Sequence, residues 1–162
     1  MNSDSSIILE RRVGISTPKI EPTFSIVIPA YNLAEFIAET LDSVFSQTFT
    51  DYEVILVNDG STDTIEFEKQ LKPYLEKIVY LRQEKAGAAT ARNTAIVQSR
   101  GKYLAFLDGD DVWHSDYLEK QLGFIEKNGL ELAYCNALFF GEKFYQAKTY
   151  MEQSPSNGKV TT

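Results

Sequence analysis

The sequence predicts an α/β fold, a mainly parallel β-sheet with helices on both faces. Short apolar runs of strand length alternate with stretches whose apolar residues recur at helical spacing, an order typical of parallel sheets. Turn residues follow the predicted strands, as in Asn58-Asp59-Gly60-Ser61. With 162 residues, 43% of them hydrophobic, the chain is long enough to bury one domain core.

The first half of the chain carries the clearest pattern. Residues 1–23 are polar, contain two prolines and lack periodicity, so we expect a flexible N-terminal arm. Residues 24–28 form an apolar run ended by a proline, which is typical of a buried strand. Residues 33–45 carry apolar side chains at helical spacing and predict a helix with one apolar face. A second apolar run at 52–57 predicts the next strand.

The second half continues the alternation of helices and strands. The predicted elements are a helix at 65–76, a strand at 78–81, a helix at 88–99, a strand at 103–107, a helix at 115–127 and a strand at 130–140. We expect the helix at 88–99 to end at Arg100-Gly101, because a basic residue followed by glycine is a common helix terminus. The folded domain should therefore cover residues 24–145, followed by a frayed end at 146–162.

Composition excludes several classes of protein. The net charge is −7, and no cluster of Lys and Arg could follow a nucleic-acid backbone. Cys135 is the only cysteine, so no internal disulfide can form. The apolar run Ile7-Ile8-Leu9 is too short for a signal peptide or a membrane span. We expect a cytoplasmic protein with no membrane span, located in solution or at the inner face of the membrane.

Three polar turns follow predicted strands, namely Pro29-Ala30-Tyr31-Asn32, Asn58-Asp59-Gly60-Ser61 and Asp108-Gly109-Asp110-Asp111. In a parallel sheet the carboxyl ends of the strands share one edge, and ligands bind beyond that edge where the strand order reverses. The pattern therefore predicts that these three turns form one pocket.

The turn at 108–111 places three carboxylates close together. Carboxylates packed so closely repel one another unless protons or a cation intervene. Mg²⁺ commonly takes one or two carboxylates together with substrate phosphates. This turn, directly after an apolar strand, is either a metal site at the pocket edge or a solvated acidic turn before a helix.

Two further residues carry open alternatives. Asp59 could bond its own turn, or it could accept a hydrogen bond from a base or a ribose hydroxyl. Arg92, among small residues of a predicted helix, could lie at the surface or donate to anionic oxygens. Motifs of serine hydrolases, P-loop NTPases, zinc proteins and dinucleotide-binding enzymes are missing from the sequence.

Five motifs in order resemble the family 2 glycosyltransferases of the A-type (GT-A), Rossmann-like fold. They are Phe24 to Asn32, Leu41 to Phe49, Tyr52 to Asp63, Ala91 to Ala95 and Gly101 to Asp111. The resemblance implies a nucleoside-diphosphate sugar donor, commonly UDP-linked, and a carbohydrate or lipid-linked acceptor of polysaccharide biosynthesis. It also implies an inverting displacement in which a carboxylate deprotonates the acceptor hydroxyl.

The same resemblance assigns site residues. Pro29, Ala30 and Tyr31 would line the nucleotide pocket, Asp59 would contact the base or ribose, and Arg92 would help to hold the nucleotide. Asp108-Gly109-Asp110 matches the family's D-x-D motif, with Asp108 and Asp110 binding Mg²⁺ or Mn²⁺ and Asp110 the direct ligand. Asp110 and its neighbour Asp111 are the candidate catalytic residues within this chain.

Two departures from the family pattern qualify this assignment. Lys85 stands where relatives often carry Asn. The family's catalytic base lies well downstream of the D-x-D motif, whereas this chain ends at Thr162, so we expect a truncated chain without that base.

Two alternatives to a complete glycosyltransferase follow. One is a non-catalytic module that binds nucleotide sugars. The other is a nucleotidyltransferase, although those enzymes usually carry a glycine-rich basic loop where this chain has Pro29-Ala30-Tyr31-Asn32.

Overall fold

The computed structural model describes residues 8–14 and 21–138. Its elements are β1 (Ile8–Val13), β2 (Phe24–Ala30), α1 (Ile37–Phe45), β3 (Tyr52–Asp59), α2 (Thr64–Leu71), β4 (Val79–Gln83), α3 (Ala88–Gln98), β5 (Tyr103–Phe106) and α4 (Tyr117–Asn128). The chain divides after Glu119 into two compact units. All five strands and the helices α1 to α3 belong to the first unit.

The sheet is mainly parallel, which confirms the predicted fold class. Its strand order is β1-β4-β3-β2-β5, and only the pairing of β1 with β4 is antiparallel. Strand β2 is buried along its whole length, as is β3 apart from its first residue. Such strands are covered on both faces, and this explains their nearly continuous apolar sequences.

Helix α3 covers one face of the sheet. Val27, Ile55 and Leu81 share this face with Ala91 and Ala95 of the helix, and together they form a buried cluster. The small alanine side chains allow the helix to approach the strands closely. Helix α3 thereby brings its first turn to the carboxyl ends of β2 and β3.

Helices α1 and α2 contact each other and cover the opposite face. The hydroxyl of Tyr80, a buried side chain of β4, donates to Glu68 Oε1 in α2 at 3.0 Å. The hydroxyl of Tyr52 in β3 donates to the backbone oxygen of Val44 in α1 at 2.9 Å. The prediction of helices on both faces is thus confirmed.

The expectation of a flexible arm over residues 1–23 is wrong for residues 8–13. These residues form β1, whose Val13 pairs with Val79, and Gly14 N then donates to Ile78 O at 2.9 Å. An edge strand tolerates charged side chains because one of its faces stays in water. The exposure of successive side chains alternates along Ile8–Val13, as in a strand, but the sequence does not alternate between charged and apolar residues and so gave no strand signal.

Helix α3 does not end on a glycine cap as expected. Ser99 is already extended, and a side chain at Gly101 would lie 2.4 Å from the backbone nitrogen of Ser25. Beside it, the buried Glu53 carboxylate accepts from Arg100 Nη2 at 2.6 Å and from Ser25 Oγ at 2.6 Å. Arg100-Gly101 therefore fastens the chain to the start of β2 and β3.

The second unit differs from the prediction after α4. Residues 131–137 contain no strand, and the bridge at Leu138 is a single residue. The alternating apolar side chains, including Leu132 and Tyr134, are exposed because these residues pair with no neighbouring strand. Residues 139–140 of the expected strand, and the expected frayed end at 146–162, lie outside the described residues.

Candidate functional site

The three polar turns meet in one cavity at the carboxyl ends of β2, β3 and β5. The cavity has a volume of about 230 Å³. Eight of the expected site residues line it, namely Pro29, Ala30, Tyr31, Asp59, Arg92, Asp108, Gly109 and Asp110. Leu33, Ala88 and Ala91 complete the lining.

The turn after β2 is tied to the turn after β3. Asn32 adopts a left-handed backbone with φ of 55°. Its side-chain oxygen accepts from Thr62 N at 2.8 Å, and its own backbone nitrogen donates to Ser61 Oγ at 3.0 Å. Asn tolerates this conformation better than most residues do. The pairing fixes the backbone that carries Tyr31.

Asp59 is buried, with only 3% of its surface exposed, and it bonds a neighbouring loop. Oδ1 accepts from Gln83 Nε2 at 2.6 Å and from Ala86 N at 2.8 Å, while Oδ2 accepts from Gly87 N at 2.7 Å. Of the two roles left open from the sequence, the structure shows backbone bonding, but to the loop after β4 and not to its own turn. The carboxylate still lines the cavity.

The Asp108-Gly109-Asp110 turn is held by β2 and α1. Asp111 N donates to Asp108 O at 3.0 Å, and Thr40 Oγ1 donates to Gly109 O at 3.0 Å. A side chain at position 109 would lie 3.2 Å from Pro29 O. Glycine at this position therefore allows close packing on the turn after β2, in addition to lining the cavity.

Arg92 and Asp108 form an ion pair at the cavity wall. Arg92 Nη2 donates to Asp108 Oδ1, and their side chains are 34% and 49% exposed. Asp110 lines the same cavity and is exposed. One carboxylate of the D-x-D turn thus already has a protein cation beside it, whereas Asp110 faces the cavity next to it.

Asp111, expected as a candidate catalytic residue, does not line the cavity. Partial burial, followed by the nearby carboxylates of Asp110 and Asp108, raises the pKa of Asp111 above its ordinary value. Burial is the larger cause of this raised pKa, and the neighbouring carboxylates add to it because like charges repel. A divalent cation between the carboxylates would offset that repulsion.

The carboxylates of this turn fit a metal ion whose remaining coordination positions are filled by oxygens of a bound ligand. In the described ranges, no group of three or more His, Cys, Asp or Glu side chains could hold a metal by itself. Asp110 and Asp108 supply two carboxylates, which is the number that Mg²⁺ commonly takes when phosphate oxygens complete its shell. The residues fit a metal bound together with a diphosphate.

The first turn of α3 suits an anion. Gly87 precedes the helix with φ of 92° and has no side chain that could cap it, and the first turn carries no acidic residue. Asp59 Oδ2 accepts from the nitrogen of Gly87 itself. Ala88 of this turn lines the cavity. Free backbone N–H groups and the helix dipole favour negative charge at such a position.

Sequence reasoning missed the contact of Lys85 with Tyr31, which lines the cavity. Lys85 Nζ lies 3.7 Å from the centre of the Tyr31 ring, although the residues are far apart in the chain. Sequence spacing carries no signal for this contact. The small residues of α3 did carry a signal for close helix packing, and Ala88 and Ala91 proved to be cavity residues.

Comparisons with known proteins agree with the fold described above. A family model described as Glycosyl transferase family 2 matches residues 25–160. The Escherichia coli protein named UDP-Glc:alpha-D-GlcNAc-diphosphoundecaprenol beta-1,3-glucosyltransferase WfgD is 39% identical over 113 residues, which are 69% of this chain and 44% of that protein.

Two solved structures share the fold. TarS from S. aureus in complex with UDP has a TM-score of 0.58 and 29% identity over 66% of this chain and 33% of its own. Mannosyltransferase PcManGT from Pyrobaculum calidifontis, in complex with GDP-Man and Mn²⁺, has a TM-score of 0.58 and 25% identity over 69% of this chain and 34% of its own. Both are glycosyltransferases of the GT-A type.

The matched region is only part of these relatives. The chain spans less than half the length of the curated relatives that it matches, from 15% to 44%. None of the helices in residues 8–14 and 21–138 is long and apolar enough to cross a bilayer.

Proposed function

Because this chain belongs to glycosyltransferase family 2, we propose that it binds a nucleoside-diphosphate sugar and serves sugar transfer to an acceptor hydroxyl. One observation carries the proposal. Eight residues from four separate stretches of the chain line a single cavity that offers carboxylates, a guanidinium group and a helix N-terminus together. A nucleotide and a diphosphate need groups of these kinds.

We propose that the nucleoside lies over the ends of β2 and β3, with Pro29, Ala30 and Tyr31 as its walls. UDP is the first nucleotide to test, since TarS was solved with UDP and the name of WfgD contains UDP-Glc. Asp59 would act mainly by holding the loop that borders this part of the cavity. Its remaining acceptor capacity is available to a base N–H or a ribose hydroxyl.

The diphosphate would lie toward the other side, between α3 and the turn after β5. Arg92 and the backbone N–H groups of the first turn of α3 would donate to its oxygens. Asp110 would be the direct metal ligand, with Asp108 and Gly109 shaping the site. A bound Mg²⁺ or Mn²⁺ would neutralise charge on the leaving diphosphate.

The acceptor and the stereochemistry belong to the proposal as well. We propose an inverting transfer to a carbohydrate or lipid-linked hydroxyl in polysaccharide biosynthesis. The name of WfgD includes a diphosphoundecaprenol acceptor, and a similar acceptor would bring this protein to the inner face of the membrane. Asp111 lies beside Asp110 but outside the cavity lining, so a catalytic role for it would not involve contact with a donor inside the cavity.

Calorimetry with UDP, GDP, CDP and ADP, each with and without Mn²⁺, tests the donor site. We expect one nucleoside diphosphate to bind, and to bind more tightly with Mn²⁺. Equal affinity with and without Mn²⁺ would rule out the metal assignment, and failure of all four to bind would rule out the donor site.

A transfer assay then separates an enzyme from a binding module. The protein is incubated with the matching nucleotide sugar and simple acceptors, and release of the nucleoside diphosphate is followed. Sustained release supports a complete transferase. Tight donor binding without release supports the alternative of a non-catalytic nucleotide-sugar-binding module.

A further inference from the structure

Two residues of the turn after β3, Asp59 and Gly60, restrict the backbone of the loop after β4. Asp59 accepts from the backbone nitrogens of Ala86 and Gly87 at 2.8 and 2.7 Å. Gly60 has φ of 65°, and a side chain there would lie 2.6 Å from the backbone nitrogen of Lys85. The backbone of Lys85 therefore has little freedom, although its side chain is exposed.

From this fixed backbone, Lys85 reaches across to the turn after β2. Its Nζ lies 3.7 Å from the centre of the Tyr31 ring, well within the range of a cation–π interaction. Tyr31 lines the cavity and is 37% exposed, so close packing alone does not hold its ring. Among the described residues, no carboxylate forms a salt bridge with Lys85.

The strand order locates this pair relative to the phosphate site. Lys85 follows β4, and Tyr31 follows β2, with β3 between these strands. Asp108 and Asp110 follow β5, on the far side of β2. The Lys85–Tyr31 pair therefore borders the β3–β4 side of the cavity, away from the acidic turn that would hold the diphosphate.

We propose that Lys85 is a positioning residue for the nucleoside part of the donor, acting through the ring of Tyr31. The ammonium group holds the ring in one orientation, so that a base can pack on the ring without first ordering it. This inference rests on the proposed function, since it requires a nucleotide in the cavity.

The test measures, by NMR titration, how tightly uridine, UMP and UDP bind to the wild type and to its variants. Lys85→Met keeps the length of the side chain and removes its charge. We expect it to weaken uridine, UMP and UDP binding by the same factor, about two- to fivefold, as the loss of an exposed cation–π contact would. Lys85→Arg should restore binding, because a guanidinium group also stacks on tyrosine.

A double-mutant cycle separates positioning from general destabilisation. In a Tyr31→Leu background, Lys85→Met should cause no further loss, because the ring through which Lys85 acts has gone. Lys77→Met is the matched control, since Lys77 Nζ also lies over an aromatic ring, that of Phe45 at 5.1 Å, and does not line the cavity. It should leave all three affinities unchanged.

Three results would overturn the inference alone: no effect of Lys85→Met, a loss that grows with each phosphate, or full additivity with Tyr31→Leu. If another base is preferred over uracil, the same series is run with that nucleoside and its phosphates. If the wild type binds no nucleoside diphosphate, the proposed function fails and the inference falls with it.

Discussion

Arg92 of α3 donates through Nη2 to Oδ1 of Asp108 after β5, so the helix that covers the sheet is joined to the acidic turn at the cavity wall. Arg92 therefore has two tasks in the proposed site. It balances one carboxylate of the D-x-D turn, and it offers its remaining N–H groups to the diphosphate.

Replacing Arg92 by Met should separate these tasks. We expect UDP to bind about ten- to a hundredfold more weakly, because hydrogen bonds to charged groups contribute about 1.5–3 kcal/mol. Mn²⁺ alone should bind more tightly, since Asp108 would lose its cationic partner. Calorimetry measures both affinities, and Arg82→Met, at an arginine outside the cavity lining, is the control. Unchanged UDP affinity would contradict the phosphate role of Arg92.

The two carboxylates of the turn should differ in their importance for the metal. Asp110→Asn should remove the increase in UDP affinity that Mn²⁺ provides, because Asp110 faces the cavity without a protein cation paired to it among the described ion pairs. Asp108→Asn should only reduce that increase. The measurement is the ratio of UDP affinities with and without Mn²⁺, and Glu66→Gln on the exposed face of α2 is the control. A larger effect from Asp108→Asn would reverse the assignment.

Asp59 should prove to be a stability residue as well as a cavity residue. In Asp59→Asn, the amide NH₂ would face a backbone N–H that now donates to the carboxylate. A buried donor left without an acceptor costs about 1–3 kcal/mol, and we expect the free energy of unfolding to fall by that amount. Urea denaturation measures this change. A variant of unchanged stability but weaker UDP binding would show that Asp59 acts only as a ligand contact.

Stability should fall in alkaline solution, in part through Tyr74. Partial burial and a hydrogen bond to Asp42 raise the pKa of Tyr74 to about 12. Below pH 10 the phenol is protonated in both states, so it causes no change of stability with pH. As the pH rises from 10 toward 12, only the unfolded state loses the proton, and the folded state becomes relatively less stable.

Tyr74→Phe should therefore lose less stability than the wild type over that range. The check is a series of urea denaturation curves from pH 8 to the alkaline limit, at equal ionic strength. Tyr80 and Tyr52, whose pKa values burial also raises, should leave part of the alkaline loss in place. Equal slopes for the variant and the wild type would refute the contribution of Tyr74.

The order of β2 to β5 and α1 to α4 could be predicted because the strands are apolar runs and the helices carry apolar or small residues at helical spacing. Strand β1 was missed, since its charged residues give no apolar run. The convergence of the three turns followed from the same pattern, since parallel strands bring their carboxyl ends to one edge. Asp59 and Asp110 thus reached one cavity in the prediction and in the structure, whereas Arg92 was expected there only from the family resemblance.

The partners of individual polar groups could not be predicted in this way. Glu53 and Arg100 are both charged residues that a pattern assigns to the surface, yet the pair anchors the end of α3 against two strands. The same holds for Asp59 with the loop after β4 and for Lys85 with Tyr31. These contacts depend on which loops become neighbours in space, and local sequence carries no record of that.

The antiparallel pairing of β1 with β4 also determines when the sheet of a nascent chain can be completed. Its residues Ile8 to Val13 pair with Gln83 to Val79, so the first strand of the sheet to be synthesised has no partner until β4 has left the ribosome. Contacts between such distant segments form slowly because a long loop must close first. After β4 has emerged and before β1 has paired with it, the outer edge of β4 is open to strands of other chains. We expect nascent chains to be most prone to aggregation during this interval. Deleting residues 8–13 would make that exposure permanent, and light scattering during refolding would reveal it.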